Sequence, residues 1–190
     1  MSEESVVRGV RYPLSFPGEK ATRRRTLDER LFLRFPALYR LIADRVTRLP
    51  PGSRLRRLTL IRISKRVAAA VNRRDFDVLF QALDPGIEYR PARDLIAPDM
   101  DAIFHGHDGY REVWRQLTDA FEDYHAEPEE VLDLGDQILA TTPYRGHGSG
   151  SGVPVNDTLF QLFRLRRGLV VWQMDFSDRS KALEAAARRE

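Results

Sequence analysis

Apolar residues recur at helical spacing as far as Phe121 and at alternating spacing after Tyr124, and this change of period restricts what the chain can fold into. Phe76, Leu79, Phe80 and Leu83 keep three- and four-residue steps, as do Tyr110, Val113, Trp114, Leu117 and Phe121. Such stripes make amphipathic helices. Further on, Leu159, Gln161, Phe163 and Leu165 alternate with Phe160, Leu162 and Arg164, as a half-buried strand requires. One strand comes earlier, where Ile87 and Tyr89 alternate with Glu88 and Arg90 after the turn signal Asp84-Pro85-Gly86. Helices, one strand, a helix and then a meander of about four strands, without βαβ alternation, argue an α+β fold. Its form is a curved antiparallel (mixed) β-sheet wrapped around helices, with an extra helical N-terminal extension. A sheet closed by a helical lid encloses a conical apolar pocket.

Local signals place the elements. Asp28 can cap a helix carrying Leu31, Phe32, Phe35, Leu38, Leu41 and Ile42 as a core or docking face, with Pro36 as a possible break. After the breaker Pro50-Pro51-Gly52, Ser53 caps a helix that runs to Asn72, a left-handed cap. Its six basic residues, Arg54, Arg56, Arg57, Arg62, Lys65 and Arg66, read as a wet face. Asp75 caps the next short helix, Asp108 the one after the long Pro91 to Gly106 loop, and Asp178 the last. Tyr124 to Leu134 reads as a strand whose Pro128 suits an edge or a bulge. Residues 1–52 form a basic extension, partly disordered and then helical, and residues 53–190 the cone domain.

Charge divides the chain unevenly. Residues 1–66 carry 17 Lys+Arg against 6 Asp+Glu, whereas residues 67–190 carry 14 against 22. The first third can meet an anionic partner or neutralise the acidic remainder. Its basic residues are not interleaved with aromatics in a nucleic-acid motif, so no specific nucleic acid binding is expected. The absence of cysteine excludes disulfides and thiolate chemistry. No apolar run approaches bilayer length and no secretory signal is visible, so a cytoplasmic protein is expected.

Three segments resemble SnoaL-like domains of the nuclear transport factor two-like superfamily. The first, AVNRRDFDVLFQALDPGIEYRP, holds Asn72 and Asp75 and then Asp84-Pro85 four residues before Tyr89. The second, HGHDGYREVWRQL, opens a helix after Gly106 and Gly109; the third, FQLFRLRRGLVVWQMDFSDRSKAL, sets Phe163-Arg164, Gly168 and Asp175 in family order. The resemblance spans roughly residues 58–186. It implies the cone fold and a homodimer through the sheet. It also places the chain among polyketide cyclases, isomerases, dehydratases and epoxide hydrolases, beside members that only bind or dimerise.

The family's cofactor-free enzymes use an aspartate in an apolar cavity, helped by hydrogen-bond donors. The resemblance puts Asp175 in that catalytic role, although Met174 stands where those cyclases carry tryptophan. His147, at a strand end, is a candidate proton shuttle. Tyr89, Phe104, Tyr110, Trp114, Tyr144, Gln161 and Trp172 are candidate ligand-binding residues. His105 and His107 lack a third ligand at useful spacing, so no metal is expected, and no cofactor motif is present. Two functions stand open. One is a small-molecule-binding domain with cofactor-independent acid/base chemistry on a small, largely apolar substrate. The other is a non-catalytic ligand-binding or dimerisation module whose basic N-terminal helices dock an anionic partner.

Overall fold

Strand β1 (Val10–Pro13) comes from within the basic extension and pairs antiparallel with β5 (Glu130–Asp133), placing Tyr12 opposite Val131. The computed structural model describes residues 8–15, 24–92 and 103–188, so part of the N-terminal arm and most of the Pro91 to Gly106 loop lie outside the described residues. Three helices follow: α1 (Leu27–Arg34), α2 (Pro36–Thr47) and α3 (Arg54–Arg73). Then come the short α4 (Phe76–Leu79), β2 (Leu83–Arg90), β3 (Phe104–His105) and α5 (Gly106–Ala120). The chain ends in β4 (His125–Ala126), β5, β6 (Gln137–His147), β7 (Pro154–Arg166), β8 (Leu169–Phe176) and α6 (Arg179–Arg188).

One curved sheet runs β1-β5-β6-β7-β8-β2-β3, with β4 beside β6. All neighbours are antiparallel except β2 and β8, which run parallel and make the sheet mixed. Helices α3, α4 and α5 pack on its concave face, where Ala70, Leu79, Ile87, Val113, Leu117 and Leu159 are all buried. The opposite face is not bare. Ala182 and Ala186 of α6 press on Leu132, Leu139 and Leu162 there.

Several cap and boundary expectations are corrected. Thr26, not Asp28, caps α1, in a reciprocal capping box with Glu29. Helix α3 ends with Arg74 in the left-handed conformation; Asn72 stays helical and uses its side-chain amide to bridge the backbone N–H and C=O of Ala126. Helix α5 starts at Gly106, before Asp108. The segment around Pro128 is two strands rather than one, because proline cannot donate to the ladder. As read from sequence, Pro36 separates two helices, Asp75 accepts the N–H of Val78, and Asp178 accepts those of Ser180 and Lys181.

The wet-face reading of α3 fails at two positions. Arg56 is 1% exposed and grips Asp133 through two bonds of 2.7 Å. Its remaining N–H groups reach the carbonyls of Thr47, Leu49 and Gly135, so all five donors are used. Tyr12 donates to the same carboxylate at 3.2 Å. A buried charge pair persists only when satisfied this fully. The cluster ties β1, α2 and α3 to β5. Arg66 is buried as well, with its guanidinium 4.6 Å from the Tyr39 ring centre and 5.2 Å from that of Phe32.

Of the two readings of the first helical face, core or docking, the core reading is not met. Leu31, Phe35, Leu38, Leu41 and Ile42 are exposed, and Tyr39, Ala43 and Val46 turn inward instead. Phe35 closes α1 and Pro36 opens α2 as a separate helix, so one stripe need not continue across both.

Candidate functional site

Between α3 and the concave face lies a cavity of about 140 Å³. That is roughly the volume at which a buried apolar cavity holds a benzene-sized molecule. Its walls are mainly apolar, from Leu60, Val67 and Val71 on α3, Leu117 on α5, and Leu159 and Phe163 on the sheet. Ser64, Thr47 and Tyr39 add polar atoms from the helical side, and the sheet contributes a cluster of Thr142, Gln161, Gln173 and Asp175.

Asp175 is at the centre of the sheet cluster and is 3% exposed. Strand alternation puts Asp175 and Gln173 on the same inward face of β8. Ladder register does the rest: Gln161 of β7 is directly opposite Asp175, and Tyr89 of β2 is directly opposite Gln173. The Tyr89 hydroxyl donates to Asp175 Oδ2 at 2.7 Å. Gln173 and Gln161 donate to Oδ1 at 2.9 and 3.3 Å. Behind them, Tyr110 donates to Gln173 Oε1 at 3.1 Å and Thr142 to Gln161 Oε1 at 2.9 Å. These bonds leave each glutamine amide with its N–H₂ toward Asp175.

Burial pushes the Asp175 carboxyl up to about 6, and the donors from Gln173, Tyr89 and Gln161 hold it from rising further. Burial also raises Tyr89, Tyr110 and Tyr124, with the Asp175 charge adding to the effect, so all three keep their protons at neutral pH. The Tyr89 and Tyr110 rings stack with centres 4.9 Å apart, which fixes both hydroxyls. An ionised carboxylate has about four lone-pair positions. Among the described residues three are engaged, which leaves one position open on Oδ2.

Five of the residues singled out from sequence line the cavity: Asp175, Tyr89, Tyr110, Trp114 and Gln161. Four do not. His147 lies on the hairpin surface, its ring Nδ1 2.9 Å from Asp123 Oδ2, with about half its side chain exposed. Phe104 packs against the edge of the core from β3. Tyr144 stands one layer out, stacked on Tyr124 at 5.6 Å. Trp172 is on the far face of β8, among the α6 contacts and under the Arg164 guanidinium. The reason is geometric, since residues three apart on a strand point to opposite faces. His107 stacks on Phe80 at 4.2 Å, a packing role. Among the described residues no three His, Asp or Glu side chains gather as a metal site would need.

Sequence reasoning missed Gln173, Thr142 and Tyr124. Gln173 was within reach, being two residues from Asp175 in the same strand. Thr142 and Tyr124 depend on pairings across β6 that no local pattern specifies.

Comparison with known proteins agrees with this architecture. The sequence pattern of the SnoaL-like domain family matches residues 65–173. A comparison with curated proteins finds no match. Among solved structures, an NTF2-like protein of unknown function from Burkholderia pseudomallei superposes with a TM-score of 0.56 at 20% identity, covering 65% of this chain and 94% of that one. TerC, co-crystallised with polyporic acid, gives 0.54 at 16% identity, covering 67% and 97%. IdmH from Streptomyces antibioticus, described as a candidate polyketide cyclase, gives 0.53 at 20% identity, covering 68% and 97%. At these identities the likeness is one of fold.

Proposed function

The chain belongs to the SnoaL-like domain family, and on that footing we propose that it binds a small apolar carbonyl compound and moves a proton on it, with Asp175 as the base. The observation that carries this reading is a buried aspartate with one free acceptor position on Oδ2, facing an apolar cavity and ringed by donors. Asp175 takes a proton from the carbon beside the carbonyl. The electron pair moves to the carbonyl oxygen, and the Tyr110 hydroxyl turns from Gln173 to donate to that oxygen. The protonated Asp175 then returns the proton to the same or a neighbouring carbon. A carboxyl near pH 6 suits both halves, because a base works best with its pKa close to the working pH. A cavity of this volume favours single-ring substrates, and anything larger requires α3 to move.

The test is deuterium incorporation from D2O into single-ring ketones, followed by NMR. Exchange above the buffer rate is expected to rise with pH through about 6 and to fall by about 10²-fold or more in Asp175→Asn. Quenching of Trp114 fluorescence reports binding separately, with Trp172→Phe removing the second indole. Binding without exchange would favour the non-catalytic reading. The family's sheet-mediated homodimer remains part of the proposal, but α6 covers Leu132, Leu139 and Leu162, so a second copy would have to use the sheet surface beyond that helix.

A further inference from the structure

We propose that the outer surface of the three N-terminal helices docks onto an anionic lipid surface. Exposed apolar side chains recur on all three helices. Leu27 is 84% exposed, Leu58 60% and Leu55 58%, and Leu31, Phe35 and Leu41 are exposed alongside them. Leu55, Leu58 and Arg62 follow one stripe of α3, and Arg62 bonds Asp28 at 3.2 Å, joining that stripe to the start of α1. Arg56 reaching Thr47 and Leu49, and Arg66 stacked on Tyr39 and Phe32, hold α1, α2 and α3 in one layer. Their inward residues are buried, whereas these outward apolar side chains are left exposed among the described residues. Patches of this kind mark interaction sites rather than ordinary surface.

Charge identifies the occupant. Arg30, Arg34, Arg40, Arg45, Arg54 and Arg57 are exposed on the same helices and have no ion-pair partner among the described residues. Helices α1 to α3 carry only Asp28, Glu29 and Asp44 as acids, and each of these is engaged by an arginine. A second copy fits poorly, because a two-fold interface would set this cationic patch against itself. Nucleic acid would satisfy the charge, but mainly aliphatic leucines offer neither base stacking nor hydrogen bonds. Exposed leucines ringed by arginine match an anionic bilayer, where the apolar side chains enter the acyl boundary and the guanidinium groups meet phosphate. The same helices wall the cavity from within through Tyr39, Leu60, Ile63 and Val67, so the docked surface is the outside of the cavity's own lid.

The experiment is co-sedimentation of the full chain with vesicles of phosphatidylcholine alone or mixed with about a third phosphatidylglycerol, at about 0.1 M salt. Binding to the mixed vesicles only, weakening as salt rises, is expected. Leu55→Ser with Leu58→Ser should weaken it by at least about tenfold while leaving the circular dichroism spectrum unchanged. Arg54→Glu with Arg57→Glu should abolish the preference for anionic vesicles. No sedimentation of the wild type with mixed vesicles would overturn the proposal, as would vesicle binding that the serine pair leaves intact. Self-association lost in the serine pair, or DNA binding in place of vesicle binding, would overturn it in favour of those partners. None of these outcomes depends on the chemistry at Asp175.

Discussion

At the scale of the residue, the account rests on what surrounds one carboxyl. Desolvation lifts Asp175, and three donors hold it back. Removing one donor should therefore let it rise further. Tyr89→Phe takes away the only partner on Oδ2 among the described residues, and hydrogen bonds to a charged group contribute about 1.5–3 kcal/mol. The Asp175 pKa is expected to climb by about one unit or more above its wild-type value, since one unit corresponds to about 1.4 kcal/mol. A carboxyl NMR titration of the variant checks this, and an unchanged value would mean that Tyr89 does not bear on the charge. Arg56 shows the opposite design, a buried charge neutralised completely and used to fasten elements together rather than to react.

At the scale of the element, the β7–β8 turn joins the helical layer to the sheet. Arg167 and Gly168 both have positive φ, the geometry of a tight two-residue hairpin turn. A Cβ on Gly168 would press into the backbone of Ala43 and Asp44 in α2. Gly168→Ala is therefore expected to cost more than about 1 kcal/mol, from strain and from displacing α2, measured as a lower midpoint in urea. An unchanged midpoint would mean that α2 yields freely. Legibility from sequence follows the same divisions. The stripe from Tyr110 to Phe121 and the alternation along β7 were readable because burial writes periodicity into local sequence. On the α1–α2 face, periodicity could not separate a core face from a docking face, because its apolar residues are periodic without being buried. Trp172 was misplaced because residue type was weighed ahead of strand parity, which Asp175 in the same strand already fixed. The β1–β5 pairing was invisible, since its partners are far apart in the chain and meet only through tertiary contacts.

At the scale of the whole molecule, the sheet is covered on both faces, by the cavity and its helices on one and by α6 on the other. The pH dependence of stability reflects the buried site. The folded pKa of Asp175, about 6, exceeds the ordinary value of 3.8. Its stabilising contribution is thus fully present below about pH 4 and is lost as pH rises through 6, amounting to about 3 kcal/mol. Asp28, Asp75 and Asp123 are lowered instead, so their contributions are lost only as pH falls below the ordinary carboxylate range. The two windows do not overlap. Urea melts between pH 4 and 7 should show stability declining in the wild type and this decline removed in Asp175→Asn. A decline that persists in the variant would assign the effect to another group.

The most direct measurement is the pKa of Asp175 itself in the intact wild-type protein, by carbon-detected carboxyl NMR, with Asp175→Asn identifying the resonance. A midpoint near 6 is the predicted result and would establish a desolvated carboxylate poised to exchange protons with a bound ligand. A midpoint at or below about 3.9 would mean a solvated or fully neutralised carboxylate, and would contradict the assignment of this cavity as a site of acid/base chemistry.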